Sequence, residues 1–221
     1  MGVLTDTLPK PLLKIGEKNL LELKFDILPA SIEEVIVVVG YLGDKIQETL
    51  GAVYKGKRVR YVVQSNPAGG TADALWSARD MLHDRFVIMM GDDLYSATDL
   101  EACSAVPDWG LLVSPIEGAR SGGNVHFDLQ GTIGSIEEGE HEGVWYACTN
   151  LFVLDSRIFA TAPVPKAPGS SELGLPQTVL FSAQKQQISI QAVPATGWIQ
   201  ITDQADIARV EAGMALYSPN A

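Results

Sequence analysis

The sequence predicts a single-domain α/β fold with a mostly parallel central sheet and a β-rich lobe, and one observation supports each of these three features. Apolar runs alternate with helical patterns through the first half, a rhythm typical of parallel strands covered by helices. The second half contains strand-like segments separated by glycine-rich turns, which predicts a more antiparallel, β-rich lobe. With 221 residues and 46% apolar composition the chain can bury a core, so we expect one domain over residues 1–221.

The expected elements of the first half follow from their patterns in order. Apolar residues on one face predict a helix over Lys18–Leu28. Val35–Val39 is an unbroken β-branched run, which is typical of a strand covered on both faces. Asp44–Leu50 predicts a short helix closed by Gly51. The remaining expected elements are a strand over Val59–Gln64, a helix over Thr71–Leu82 and a third buried strand over Phe86–Met90.

The second half is expected to be richer in strands. A Pro/Ser/Gly-rich loop is expected over Pro163–Ser171, and a helical pattern follows over Leu175–Gln186. A strand over Ile188–Val193 and a closing helix over Thr202–Leu216 complete the chain. The expected strands before the loop are Leu111–Ile116, Val125–Asp128, Thr132–Ile136 and Val144–Leu154.

The charge balance excludes several classes of partner. Sixteen basic and 27 acidic residues give a net charge of −11 without a basic cluster, which argues against nucleic-acid and anionic-membrane binding. No apolar stretch reaches the ~18 residues of a membrane span, and the N-terminus matches neither a signal peptide nor a myristoylation pattern. We therefore expect a cytoplasmic protein, with monomer and homo-oligomer both open. Cys103 and Cys148 are expected to be small buried hydrophobes.

A lysine held between two prolines is the first candidate functional feature. It lies in the run Pro9-Lys10-Pro11-Leu12-Leu13. Each proline ring fixes its own φ and biases the preceding residue toward extended geometry, so the backbone around Lys10 is stiff. Such a lysine can be aimed at a phosphate as a compact point charge.

Two carboxylates follow the third expected strand. Asp92 and Asp93 come after Phe86–Met90, at the strand's carboxyl end, where ligands bind in open α/β sheets. Two carboxylates beside Gly91 suit a hard divalent cation with oxygen ligands. The competing interpretation is an Asp-rich turn that caps the next helix.

A glycine-containing loop connects an expected strand to an expected helix over Gln64–Ala72. Glycines there expose backbone N–H groups near the helix N-terminus, which can meet a base or a phosphate. The alternative is an ordinary loop in which Thr71 is the helix N-cap.

These motifs together resemble the sugar-phosphate nucleotidyltransferases in order and spacing, and the resemblance covers essentially the whole chain. It implies a Rossmann-like, glycosyltransferase-A-type three-layer fold. It also implies attack of a sugar 1-phosphate on the α-phosphate of a nucleoside triphosphate, with release of pyrophosphate and with Mg²⁺ as cofactor. The matching segments are Pro9–Leu13, Gly70–Ala72, Gly91-Asp92, Gly131–Glu138, Thr149–Asp155 and Trp198–Ile201 with Asp206-Ile207.

The resemblance also implies roles for individual residues. Lys10 would be the catalytic residue that stabilises the phosphates. Carried over by position, the other implied sites are Asp92 and Gln200 for the metal, Gln64, Gly70 and Thr71 for the nucleotide, and Gly123, Glu138 and Asn150 for the sugar.

Three features depart from the family pattern. The family usually begins with a strand and a Gly-x-Gly-Thr-Arg loop that holds the triphosphate, and neither is in this sequence, so we expect an N-terminally truncated domain that lacks its first strand. Gln200 stands where a second metal carboxylate is expected. Its amide oxygen can ligate a cation but adds no charge, so metal affinity should fall. Gly139 stands where a lysine often follows Glu138.

Three hypotheses remain open at this point. The first is a nucleotidyltransferase whose true start lies upstream, with UTP or dTTP favoured by the family. The second is a non-catalytic relative that binds a nucleotide sugar or regulates a partner subunit. The third is a small α/β binding module of another class in which the motif matches are accidental.

Overall fold

A computed structural model of the chain describes residues 8–217. The α-helices in this range are α1 (Leu20–Asp26), α2 (Gly43–Leu50), α3 (Gly70–Ser77), α4 (Ala97–Ala105), α5 (Leu175–Gln186) and α6 (Gln204–Ala212). The strands are β1 (Lys14–Ile15), β2 (Lys18–Asn19), β3 (Glu34–Val39), β4 (Val53–Tyr54), β5 (Lys57–Val63), β6 (Arg85–Ile88), β7 (Asp93–Leu94), β8 (Trp109–Glu117), β9 (Arg120–Phe127), β10 (Ile133–His141), β11 (Val144–Asp155), β12 (Ile190–Pro194) and β13 (Ile199–Gln200). Short 3₁₀ helices form at Lys10–Leu12, Arg79–Met81, Ser156–Ala160 and Met214–Tyr217.

The chain divides into two compact units. Within the described range, the first unit contains the residues up to Pro67, the segment Met90–Glu101 and the residues from Gly197 onward. The second unit contains Ala68–Met89 and Ala102–Thr196. The single domain expected from the sequence stays a prediction.

The first unit contains a small sheet in the order β3-β5-β4, in which β3 and β5 are parallel. Two further strand pairs, β1 with β2 and β7 with β13, are antiparallel. Two apolar clusters hold the unit together. One forms around Leu20, Leu23, Leu94 and Ile201, and the other around Leu12, Phe25, Ile46 and Val59.

Helix α1 is shorter than the predicted Lys18–Leu28 because Asn19 caps it. The Asn19 side chain accepts a hydrogen bond from the backbone N–H of Glu22, at 2.9 Å, and the Glu22 carboxylate accepts one from the Asn19 N–H, at 2.8 Å. This reciprocal capping box fixes the first helical residue at Leu20.

Val35–Val39 was predicted to be a strand covered on both faces and Phe86–Met90 to be a buried strand, and both predictions were wrong about burial. In β3 only Val39 is buried; Val35 and Val37 pack against the second cluster, and the residues between them stay half-buried. Alternate side chains of a strand point to opposite faces, so one packed face covers only every second valine. Strand β6 ends at Ile88, and its residues are half-buried or exposed.

The second unit is built on a sheet in the order β10-β9-β11-β8-β12, with β6 also paired to β11. The pairing of β12 with β8 is parallel, and the other pairings of this sheet are antiparallel. The β-rich, antiparallel character predicted for the second half is therefore confirmed. Parallel pairing within the described residues is confined to β3–β5 and β8–β12.

The helices follow the predictions to different degrees. Helix α5 spans the predicted Leu175–Gln186. Helix α3 ends at Ser77, where Ala78 donates to the Leu75 carbonyl and tightens the chain into a 3₁₀ turn. Helix α6 likewise ends before the predicted Leu216.

Two smaller expectations concern the cysteines and the membrane. Cys103 and Cys148 are both buried free thiols, as predicted. Over residues 8–217, no helix combines the length and the hydropathy needed to cross a bilayer.

Candidate active site

The lysine loop is anchored by its leucines and leaves its lysine at the surface. Lys10–Leu12 forms one 3₁₀ turn, in which the N–H of Leu12 donates to the Pro9 carbonyl at 2.8 Å. Leu12 is buried in the second apolar cluster of the first unit, whereas Lys10 is partly exposed. The turn therefore fixes the backbone beneath the ammonium group.

Lys10 forms an ion pair with Asp92, 82 positions along the chain. Lys10 Nζ lies 2.6 Å from Asp92 Oδ2, and the two side chains are 31% and 35% exposed. At this exposure the pair contributes at most ~1 kcal/mol. It is therefore weak enough to be exchanged for a phosphate or a metal ion.

Gly91 allows this approach. A Cβ atom at position 91 would lie 3.2 Å from Pro11 Cγ, which is tighter than ordinary contact. The glycine before Asp92 thus lets the lysine loop pack directly on the segment that carries the carboxylate.

Asp93 lies behind this pair and is buried. Its Oδ2 accepts hydrogen bonds from Trp198 Nε1, at 3.0 Å, and from the Tyr95 hydroxyl, at 3.4 Å. Its Oδ1 is buried without a hydrogen-bond partner. Burial, with the charge of Asp92 adding to it, raises the pKa of Asp93 to about 6 against the opposing effects of Trp198, Lys24 and Tyr95.

Lys24 supplies a buried cation at the same place, and the sequence analysis did not identify it. It is 5% exposed, and its Nζ donates to the Gly91 carbonyl. Burial lowers the pKa of Lys24 to about 7, although Asp93 and Asp92 oppose the shift. The signal in the sequence was a lysine on the apolar face of α1, four residues after Leu20 and three after Leu21.

Gln200 is joined to the two aspartates through the backbone. Strand β13 pairs with β7 so that Gln200 lies opposite Asp93, and the N–H of Ile201 donates to the Asp92 carbonyl at 3.0 Å. Cross-strand neighbours lie within reach of one another. The structure thus brings together Lys10, Asp92 and the segment of Gln200 in the first unit.

The chemistry of this donor set fits a magnesium ion that takes few ligands from the protein. The described residues hold no cluster of three His, Cys, Asp or Glu suited to a metal. Mg²⁺ commonly takes only one or two carboxylates and completes its shell with phosphates and water. A half-exposed Asp92, an amide at Gln200 and the unpartnered Oδ1 of Asp93 are oxygen donors of the kind that Mg²⁺ prefers.

The residues expected to meet the nucleotide lie in both units. In the first unit the N–H of Gln64 donates to the Val39 carbonyl at 2.8 Å, which extends the β3–β5 ladder by one residue. In the second unit Gly70 has φ +85°, and a Cβ there would lie 2.5 Å from the Leu173 carbonyl oxygen. A glycine is therefore required at position 70, because any side chain would clash with the backbone at Leu173.

Thr71 does not cap its own helix, so that alternative was wrong. Its hydroxyl accepts a hydrogen bond from the N–H of Leu175, at 2.9 Å, and so caps the first residue of α5 instead. The N-cap position of α5 is Gly174, which has no side chain to do this. The nucleotide-binding roles of Gln64, Gly70 and Thr71 stay predictions.

The residues expected to meet the sugar are brought together in the second unit. Gly123 on β9 lies opposite Glu138 on β10, and a Cβ at Gly123 would lie 3.2 Å from Glu138 Oε1 and 3.4 Å from Cys148 Cβ. Asn150 has φ 57° and occupies the register shift of β11, where the Cys148 thiol lies 3.8 Å from its Oδ1. Asparagine tolerates this left-handed conformation better than most residues.

A side chain that the sequence analysis did not identify also touches this group. Gln177, in the first turn of α5, donates from Nε2 to Glu138 Oε1 at 3.2 Å. No local pattern signals this contact, because the two residues lie 39 positions apart.

A solved structure confirms the fold class. A putative glucose-1-phosphate thymidylyltransferase from Bacillus anthracis matches with a TM-score of 0.75, covering 96% of this chain and 89% of that chain. Its sequence identity is 22%, so the likeness shows the fold alone. The Rossmann-like α/β nucleotidyltransferase fold implied by the sequence is therefore confirmed.

Two curated proteins of Haloferax volcanii are similar in sequence. The UTP–glucose-1-phosphate uridylyltransferase AglF is 30% identical over 203 residues, which cover 88% of this chain and 83% of AglF. The low-salt glycan biosynthesis nucleotidyltransferase Agl11 is 30% identical over 167 residues, or 72% of this chain. The chain spans less than half of the length of several curated relatives, 45% in the case of Agl11.

The family assignment rests on a match to a family model and on the similarity to AglF. The model of the nucleotidyl transferase family matches residues 3–179, a range that includes the lysine loop, both aspartates and the Gly123–Glu138 strand pair. The similarity to AglF covers most of both proteins. The chain belongs to the nucleotidyl transferase family.

Proposed function

We propose that the chain transfers a nucleotidyl group from a nucleoside triphosphate to a sugar 1-phosphate, giving an NDP-sugar and pyrophosphate. A phosphate oxygen of the sugar 1-phosphate forms a bond to the α-phosphorus. The bond between that phosphorus and the oxygen bridging to the β-phosphorus breaks, and pyrophosphate leaves. Such chemistry depends on positioning and charge neutralisation more than on proton transfer.

The Lys10–Asp92 ion pair is the observation that carries this proposal. Lys10 Nζ lies 2.6 Å from Asp92 Oδ2, so a cation on a stiff turn lies beside a half-exposed carboxylate that directly precedes β7. When a triphosphate binds, Lys10 exchanges Asp92 for phosphate oxygens and stabilises the charge that develops on them. The exchange costs little because the resting pair is weak.

Asp92 and Gln200 are the residues that would hold Mg²⁺, with the buried charge of Asp93 behind them. A bound magnesium ion neutralises phosphate charge and helps to orient the triphosphate. Lys24 holds the Gly91 carbonyl and so fixes the backbone that precedes Asp92.

The two remaining sets of residues would select the substrates. Gln64, with Gly70 and Thr71, is proposed to contact the nucleotide. In this proposal Glu138 accepts hydrogen bonds from sugar hydroxyls, and Gly123 leaves room for its carboxylate. Asn150, on β11, is proposed to contact the sugar as well. UTP and glucose 1-phosphate are the first substrates to test, because they appear in the name of AglF.

A pyrophosphate-release assay tests the function. The purified protein is incubated with Mg²⁺, UTP or dTTP, and glucose 1-phosphate, and pyrophosphate is measured with a coupled enzyme. We expect release that falls at least ~100-fold in Lys10→Ala and in Asp92→Asn, since each removes a charge from the phosphate site. The exposed residues Lys14 and Asp80 provide matched controls, and Lys14→Ala and Asp80→Asn should stay active. Equal activity in Lys10→Ala and Lys14→Ala would contradict the assigned site.

A second candidate is a non-catalytic domain that binds a nucleotide sugar or regulates a partner subunit. The observation that favours it is Gln200, which gives the metal position an amide in place of a charge. Binding of UDP-glucose in calorimetry without pyrophosphate release from any tested pair of substrates would support this alternative.

A further inference from the structure

The hydrogen bond between Gln177 and Glu138 joins a helix to a strand at the proposed sugar side of the second unit. Gln177 Nε2 donates to Glu138 Oε1 at 3.2 Å. Glu138 is exposed, and within residues 8–217 its second oxygen, Oε2, takes no hydrogen bond. One oxygen of the carboxylate is thus fixed by the protein, and the other is left for a ligand.

This arrangement leaves the other end of Gln177 unsatisfied. The amide oxygen Oε1 is buried and has no hydrogen-bond partner. A buried acceptor without a donor destabilises the fold. The opposite orientation of the amide would bury the nitrogen instead and would turn an oxygen toward the Glu138 carboxylate. The observed orientation is therefore the one that serves Glu138.

Two glycines make room for the pair. A Cβ atom at Gly174 would overlap Gln177 Oε1 and would lie 2.9 Å from Gln177 Cδ. A Cβ atom at Gly123 would lie 3.2 Å from Glu138 Oε1. A side chain at Gly174 would displace Gln177, whereas one at Gly123 would press first on Ile136, 2.9 Å away, and would shift Glu138 only slightly.

We propose that Gln177 is a positioning residue for the sugar: it holds the Glu138 carboxylate so that Oε2 accepts a hydrogen bond from a hydroxyl of a sugar phosphate. The inference rests on the proposed function, and it assigns Gln177 no role toward the nucleotide. It requires that Gln177 contribute to affinity for the sugar at a cost in stability.

The test uses Gln177→Met, which keeps the size of the side chain and removes both its donor and its buried acceptor. We expect KM for glucose 1-phosphate to rise about tenfold, as expected when one hydrogen bond to a charged group is lost, with KM for UTP unchanged. The melting temperature should stay the same or rise, because the unpartnered oxygen is gone. Gln184→Met is the matched control, since Gln184 is exposed on the same helix.

A second variant and a binding measurement keep the test decisive. Gln177→Glu places a carboxylate against Glu138 and should raise KM for glucose 1-phosphate further. Calorimetry with glucose 1-phosphate reports the same interaction without turnover. If the wild-type protein binds this probe but releases no pyrophosphate, and the variants bind it more weakly, the inference holds and the proposed function fails.

The other outcomes overturn the inference. Unchanged KM and affinity for the sugar phosphate in Gln177→Met would show that Glu138 needs no positioning, whatever the activity. A lower melting temperature with equal losses toward UTP and glucose 1-phosphate would indicate a purely structural role, as would the failure of both variants to fold. If the wild-type protein does not bind glucose 1-phosphate, both the inference about Gln177 and the proposed sugar site around Glu138 would be overturned.

Discussion

The candidate phosphate side in the first unit and the candidate sugar side in the second are built from different materials. Around Lys10 and Asp92, full charges are held at short range, and two further ionisable groups, Lys24 and Asp93, are buried. Around Gly123 and Glu138 the positions are set by glycines, a register shift and one hydrogen bond. Electrostatic interactions act over several ångströms, so a site built from charges tolerates small displacements of its side chains. A site that depends on close packing is disturbed by a single added atom, for example a Cβ in place of a glycine hydrogen.

The largest expected effect is on the second unit, at a glycine that lies outside the sugar side. Gly70→Ala forces a side chain onto a backbone at φ +85° and within 2.5 Å of the Leu173 carbonyl oxygen. We expect a loss of about 2–4 kcal/mol in the free energy of unfolding, measured by urea denaturation. Gly139→Ala is the matched control, because nothing lies within 4 Å of the added atom, and it should change stability by less than ~0.5 kcal/mol. Similar values for the two variants would contradict the close approach at Gly70.

An intermediate effect breaks the charge-based region. The pKa of Lys24 is lowered to about 7 in the folded state, so between that pH and the ordinary lysine value of 10.5 the unfolded chain binds more protons. Stability should therefore rise with pH in this window, by about 1–2 kcal/mol between pH 7.5 and pH 9 relative to Lys24→Met. Urea unfolding at the two pH values checks this. The exposed control Lys14→Met should keep the rise, and a rise that persists in Lys24→Met would show that another group causes it.

The smallest expected effect sharpens the comparison. Gln200→Asp adds a charge at the proposed metal position, and we expect its affinity for a divalent ion to increase about tenfold. Titration with Mn²⁺ followed by electron paramagnetic resonance measures this without turnover. Gln191→Asp, at an exposed position of β12, adds the same charge elsewhere and should leave affinity unchanged. Equal affinities in all three proteins would place Gln200 outside the metal site.

The features that the sequence could predict are those set by local patterns or by motifs that can be recognised one at a time. Helix α5 and the antiparallel second half follow from local patterns, and the Lys10–Asp92 pair joins two motifs that were found separately. Lys24 was missed because the partner of its ammonium group, the Gly91 carbonyl, lies 67 positions away.

Other outcomes also depended on partners distant in sequence. Threonine is a residue type that often caps helices, but the Thr71 hydroxyl accepts its hydrogen bond from the N–H of Leu175, 104 positions away. The valines of β3 were overestimated as buried because a run of apolar residues does not say how many faces are covered. Residues 1–7, which precede the lysine loop, lie outside the described part of the chain.

The resting ion pair between Lys10 and Asp92 has a consequence for ligand discrimination under the proposed function. Any anion that takes over Lys10 must first separate a pair worth at most ~1 kcal/mol, which lowers its apparent affinity by up to about fivefold. A single inorganic phosphate has few other contacts to offset this loss. A triphosphate that also brings a metal ion to Asp92 recovers the interaction on both sides of the broken pair. Under the proposed function, the ion pair thus favours binding of highly charged, metal-bound ligands over small anions such as inorganic phosphate.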